Sequence, residues 1–276
     1  MTEKINNTPE DSTSNYHKLS IQVSLNGLSF CVLDTISNRI LISEGENFDQ
    51  ELSPYETQKR LADLFKAHAV QDFVFSEVVA IHKNNMFGLV PKALFNANEL
   101  ANYLKFNTKI LANDQIEYDE IESHEMVNVY VPFTNINNYI YDLFGEFEFK
   151  HHGTVLVQTL LNIQSASNEP ICYVHISKQQ MDITVISQKK LQFYNSFHFM
   201  TKEDFIYHLL FTLEQLKLDT ESIKLRLFGA IEEDDDLYSM AYTYIQNVAI
   251  FIPSNTSYHL GNLEKETIDF TVINAL

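Results

Sequence analysis

Hydrophobic and polar positions along the chain fall into two successive runs of elements in the same order. Two apolar stretches, 19–25 and 28–33, are joined across Asn26-Gly27, the dipeptide best suited to a tight primed turn, and they predict a β-hairpin. A third strand is expected at 39–43. Ser53-Pro54-Tyr55-Glu56 then predicts a helix start, with serine as the N-cap, proline at the first helical position and glutamate placed to close a capping box. Leu61, Leu64 and Phe65 supply the apolar face of that helix, and 73–81 predicts the next strand.

The second run begins at an offset of about 153 residues, too long a period for a solenoid unit and fitting a repeated subdomain. Strands are expected at 171–176, 182–187 and 191–196. Thr201 caps a helix whose Phe205, Ile206, Leu209, Leu210, Leu213 and Leu216 recur at helical spacing. A fourth strand follows at 223–231, then a helix with Leu237, Met240, Ala241, Tyr244 and Ile245 on one face, and a last strand at 248–253. That last strand resembles 127–132 in the first run, at a shorter offset, so an insertion is expected at about 86–125. Lying outside the repeat, the insertion is expected to be free of its packing demands. Helices around 136–144 and 154–163 are expected to bridge the halves, and the tail 254–276 to pack back on the first half with a strand at 268–273.

Strand–strand–strand–helix–strand–helix–strand, read twice, predicts an α/β protein of two ribonuclease H-like subdomains. Each is a mixed five-stranded sheet with flanking helices, and the two together form an actin-like ATPase arrangement with a cleft between them. The expected organisation is a flexible leader at 1–15, a first lobe at 16–165 and a second lobe at 166–276.

Composition narrows the function. With 45% hydrophobic and 12% aromatic residues, the 276-residue chain has enough apolar material for two cores. A net charge of −18 without a long basic run disfavours nucleic acid as a partner. No apolar h-region follows the N-terminus and no apolar run is long enough to span a bilayer, so a cytoplasmic protein without membrane insertion is expected. Cys31 and Cys172 each sit inside an apolar run, far from one another, and read as buried small hydrophobes.

Glycine excludes more. The seven glycines are Gly27, Gly45, Gly88, Gly145, Gly153, Gly229 and Gly261, all well separated. A P-loop, a dinucleotide fingerprint and a nucleophile elbow all need closely spaced glycines, so none is present. A ribonuclease H-type metal site needs a carboxylate on the first strand of its sheet, and neither 19–25 nor 171–176 has one. Asp34 and Asp182 lie at strand ends that do not make a two-metal pair. The run Glu232-Glu233-Asp234-Asp235-Asp236 precedes a helix, where Asp234 or Asp235 is expected to cap the first amides. The acidic segment 114–125 reads as a solvated face. His151-His152 reads as a strand-to-helix junction whose two rings point to opposite faces. His175 and His198 read as core or sheet-face residues.

Three stretches carry a resemblance to a known family: 19–34, Val90-Pro91-Lys92-Ala93-Leu94-Phe95 with Asn102-Tyr103-Leu104-Lys105-Phe106-Asn107, and Phe228-Gly229 ahead of Leu237-Tyr238. On these the chain resembles a family of uncharacterised bacterial proteins, a domain of unknown function with an actin-like ATPase fold. By layout it is more distantly similar to the cytoplasmic actin-like proteins of type IV pilus and type II secretion machinery. The resemblance implies a phosphate- and magnesium-holding turn, with an aspartate and a glycine, between the first two strands of each half. Here those turns are Ser24-Leu25-Asn26-Gly27 and Ser177-Lys178-Gln179-Gln180, without the acid, and the second without the glycine. Asn26, Gly27, Lys178 and Gly229 remain as the candidate lining of a degenerate nucleotide cleft, with no catalytic and no metal residues expected. The expected function is a non-catalytic, pseudo-ATPase-like scaffold with a protein partner at 86–125 and no cofactor. The alternative is an ATP-binding phosphotransferase or ATPase with an atypical ATP/Mg site, and a third reading is a small-molecule sensor.

Overall fold

The computed structural model describes residues 16–121, 124–164, 169–252, 258–259 and 269–276. The expected leader and most of the tail lie outside these residues. In chain order the first lobe is built from β1 (His17–Ser24), β2 (Gly27–Asp34), β3 (Arg39–Asn47), α1 (Pro54–Ala67) and β4 (Phe75–His82). There follow β5 (Phe87–Pro91), α2 (Leu100–Leu104), β6 (Glu117–Ile121), β7 (Met126–Tyr130), α3 (Thr134–Phe144), β8 (Glu148–His151) and α4 (His152–Ile163). The second lobe comprises β9 (Ile171–Ser177), β10 (Gln180–Ser187), β11 (Lys190–His198), α5 (Lys202–Gln215), β12 (Lys224–Gly229), α6 (Asp236–Tyr244) and β13 (Asn247–Ile250). A last helix, α7 (Phe270–Asn274), ends the chain.

The two five-stranded sheets share one plan, β3-β2-β1-β4-β8 and β11-β10-β9-β12-β13. In each the first three strands are antiparallel neighbours, and the last two join in parallel after helical crossovers. Local chemistry accounts for the element starts. Ser53 and Glu56 form a reciprocal capping box at α1, and Thr201 and Asp204 do the same at α5. The first sheet buries Leu19, Ile21 and Phe30 against Leu61 and Phe65 of α1 and Ile136 and Ile140 of α3. The second buries Val174, Ile183 and Leu225 against Phe205 and Leu209 of α5.

Five sequence expectations are corrected. The strand read at 127–132 is β7, the centre of a separate three-stranded sheet β5-β7-β6, and β8 completes the first five-stranded sheet. β7 is apolar because it is covered on both faces, by Leu104 of α2 on one and by the α4 region on the other. β8 is only four residues long and reads Glu-Phe-Lys-His, too short and polar to announce itself. α3 consequently packs with α1 under the first sheet, and of the two expected bridging helices α4 alone lies between the lobes, against β8 and β6 on one side and β11 on the other.

The tail segment expected as a strand is the helix α7, because Asp269 caps it, accepting from the amides of Thr271 (2.9 Å) and Val272 (3.2 Å). Ile268 lies outside the described residues. α7 packs on α4, β1 and β2, with Val272 and Ile273 beside Cys31, Leu33 and Val155. Asp235 occupies the N-cap position of α6, but its carboxylate accepts from the Glu232 amide at 2.8 Å and so closes the preceding turn.

The insertion is also not free of packing demands. Phe87, Ile121 and Tyr130 join Leu156, Tyr173, Tyr194 and Phe270 in one apolar cluster between the lobes. Asp119 of β6 accepts from the His151 amide (2.8 Å), the Thr154 hydroxyl (2.7 Å) and the Tyr130 hydroxyl (3.0 Å). A strand of the insertion thus supplies an anion at the N-terminus of α4, where the helix dipole favours it. Burial raises the Asp119 pKa to about 6 despite these bonds. Asp119→Ala removes the acceptor of all three donors and is expected to lower the unfolding free energy by about 3 kcal/mol in urea titrations. Glu120→Ala, on the exposed side of the same strand, is expected to change it by about 0.5 kcal/mol or less.

Candidate functional site

The hairpin turns of both sheets point into one cleft of about 1040 Å³, lined also by the end of β12 and by α7. Asn26, Gly27, Lys178 and Gly229 all line it. Their polar reach is turned inward. The Asn26 amide donates to Ser24 Oγ (3.2 Å), and the Asn26 carbonyl accepts from the Phe48 amide (2.8 Å). Lys178, in a left-handed backbone conformation, donates its ammonium across the cleft to the Phe48 carbonyl. Gly229 has φ +91°, and a Cβ there would lie 2.3 Å from the Ile176 carbonyl and 2.9 Å from the His175 ring. Its glycine answers the close approach of β12 to β9, a packing reason needing no anion.

Behind these residues lies a buried polar network that the sequence reading did not find. Lys83, directly after β4 and 6% exposed, donates to Ser177 Oγ at 2.6 Å and stands 3.8 Å from Asp182 Oδ2. Asp182 Oδ2 also meets His152 Nε2 at 3.1 Å and His175 Nδ1 at 3.3 Å, and its Oδ1 meets the Tyr194 hydroxyl at 3.5 Å. His152 Nδ1 lies 2.8 Å from Gln22 Oε1, and the Gln22 amide nitrogen donates to Asp269 Oδ2 at 2.7 Å. Burial would raise the Asp182 pKa, but His152, Lys83 and the two ring contacts hold it well below the usual carboxylate range. Asp269 is likewise held low against its burial, by His175 and Lys83 and by the Thr271 hydrogen bond. Asp34 sits in the other lobe, half-buried and bonded to Ser37, so it and Asp182 form no pair.

His151 and His152 do leave the β8–α4 junction in opposite directions. His151 Nε2 donates to the Asn84 carbonyl (3.0 Å), and its Nδ1 accepts from the Gly153 amide (3.0 Å). His82 is equally well defined, donating from Nε2 to Asn137 Oδ1 (2.8 Å) and accepting at Nδ1 from the Phe133 amide (3.2 Å). Both rings are neutral. The sequence signals for the network were the His-His pair, His175 and Asp182, each read for another role. Gln22 and Lys83 carried none, since a single polar residue in or after an apolar strand has no pattern.

Burial lowers the His82 pKa to about 4, whereas an unfolded-chain histidine titrates near ~6.5. Between these values the unfolded state binds the extra proton, so stability falls as pH falls through that window. In urea titrations at pH 7 and pH 5, the wild type is expected to lose about 2 kcal/mol more than His82→Leu does, whatever the variant's absolute stability. Equal losses would show the ring to be solvated.

Comparison with known proteins adds the following. The family described as "Protein of unknown function (DUF3822)" matches residues 6–248. No curated protein matches the chain. Among solved structures, a Bacteroides thetaiotaomicron protein with an actin-like ATPase fold and unknown function aligns with a TM-score of 0.78. It is 22% identical, with 88% of this chain and 94% of that chain covered. A chain of the PilM-PilN type IV pilus biogenesis complex aligns with a TM-score of 0.61 at 10% identity, with 93% and 96% covered. At these identities the likeness shows the fold, which is actin-like. Among the described residues no helix is long and apolar enough to cross a membrane.

Proposed function

The chain belongs to the DUF3822 family, and from that starting point we propose that it is a non-catalytic actin-like protein that works through contacts with another protein. One observation carries this reading. The groups that would meet a phosphate at the cleft are committed to the protein itself, Lys178 to the Phe48 carbonyl and Lys83 to Ser177 and Asp182. Neither hairpin turn holds an acid to position magnesium. The similarity to a chain of a pilus biogenesis complex supports a role in an assembly.

The insertion offers the contact surface. Leu94, Phe106 and Leu111 are exposed there, Phe106 at 84%, while the opposite side of the same subdomain is built into the inter-lobe core. Because Asp119 and Ile121 support α4, point substitutions on this surface test it better than removal of the segment. The rival reading, an ATP-binding phosphotransferase or ATPase, is favoured by the size of the cleft, which leaves room for a nucleotide-sized ligand.

Thermal unfolding in millimolar Mg-ATP separates the two, since a ligand bound only by the folded state raises the melting temperature by mass action. The expected result is no shift and no phosphate release. A clear upward shift accompanied by turnover would overturn the non-catalytic reading. Phe106→Glu with Leu111→Glu is expected to leave the melting temperature within a few degrees of wild type and to abolish co-purification of the partner. Retained co-purification would move the contact surface elsewhere.

A further inference from the structure

His82 and His151 show how a buried neutral imidazole is satisfied here, one nitrogen donating and the other accepting. His152 breaks that pattern. Both of its nitrogens face oxygens, Gln22 Oε1 at 2.8 Å and Asp182 Oδ2 at 3.1 Å. A neutral ring has one proton for these two acceptors. Turning the Gln22 amide would serve His152, but it would set the Gln22 carbonyl 2.7 Å from the Asp269 carboxylate. Either orientation leaves one lone pair facing another. The charges agree, since one ammonium, Lys83, stands among two carboxylates, the buried Asp182 and the half-buried Asp269 at the cleft wall. The cluster is short of one positive species.

We propose that this species is a divalent metal ion held by His152 Nε2, His175 Nδ1 and Asp182 Oδ2. The three donor atoms lie within 4.8 Å of one another and all three residues are buried. Two of the spacings, 3.1 and 3.3 Å, are those of neighbouring ligands around a tetrahedral ion with bonds of ~2.0–2.1 Å. A proton joins two atoms, whereas a metal satisfies all three lone pairs together. Two imidazoles and one carboxylate suit Zn²⁺ and leave a fourth position for water. The outer shell also fits: the second nitrogen of His152 donates to Gln22 Oε1, which fixes the tautomer a ligand needs, and Gln22 is itself anchored on Asp269.

His152 begins α4 of the first lobe, while His175 and Asp182 stand on β9 and β10 of the second. The ion therefore ties one lobe to the other. Lys83 opposes it, so the same cation that steadies Asp182 in the metal-free protein weakens metal binding.

Full-length protein dialysed against EDTA and titrated with Co²⁺ tests the site directly. The expected result is a stoichiometric, intense visible spectrum of tetrahedral type, displaced by Zn²⁺, with a rise in melting temperature. Gln22→Leu is expected to weaken binding by about 10–100-fold, and His175→Ala to abolish the spectrum. Lys83→Met, by contrast, is expected to tighten binding. If wild-type protein, folded by circular dichroism, gives no spectrum, the proposal is overturned and the missing charge is a shared proton. A weak octahedral spectrum that survives His175→Ala overturns it equally, by placing the metal at surface carboxylates.

Discussion

Asp182 is 1% exposed and ionised, and much of the seam between the lobes is organised by the need to neutralise it. A carboxylate removed from water costs several kcal/mol, of order 20 in the idealised limit, unless charges and donors surround it. They come from both lobes: His152 at the head of α4, Lys83 after β4, and His175 and Tyr194 from the strands beside β10. Because each partner rides on a different element, that carboxylate fixes how the first lobe and the second lobe meet. An apolar seam of the same volume would hold the lobes together but would specify their orientation less sharply.

The same residues explain why the fold and the chemistry it often carries can be considered separately. An actin-like frame needs two sheets, crossover helices and helices packed in the seam, and all are present. Anion binding at the hairpin turns needs unspent donors and backbone free of side-chain crowding. Here the turn donors are bonded within the chain, and the end of β12 requires glycine because a Cβ there would lie 2.3 Å from the Ile176 carbonyl of β9. The insertion follows a related logic. One side of its small sheet is absorbed into the seam through Asp119, Ile121 and Tyr130, leaving Leu94, Phe106 and Leu111 outward.

Legibility in the sequence followed the range of the forces involved. The β1–β2 and β9–β10 hairpins, the capping box at Ser53, the Thr201 cap and the amphipathic α5 rest on residues within a few positions of one another, and all could be read. β8 could not. Its four residues, three of them polar, become a strand only because α3 carries the chain back beside β4. β7 misled for the opposite reason, since burial on both faces makes any strand look like the centre of a main sheet. The tail misled because Ile268 to Ile273 alternates weakly, while one aspartate cap decided for a helix.

By itself the sequence determined most of the order of elements, the doubled plan of the sheets, the actin-like frame and the absence of glycine-rich phosphate loops. These depend on side-chain periodicity, turn chemistry and the missing Cβ, all local properties. Only the tertiary structure decided which strand closes the first sheet, how the insertion is anchored and which polar residues share the seam. Gln22 and Asp269 are 247 positions apart, and Gln22 and His152 are 130 apart. Such pairs leave no periodic trace in the chain, because what selects them is the cost of an unpaired polar group in a place that only packing creates.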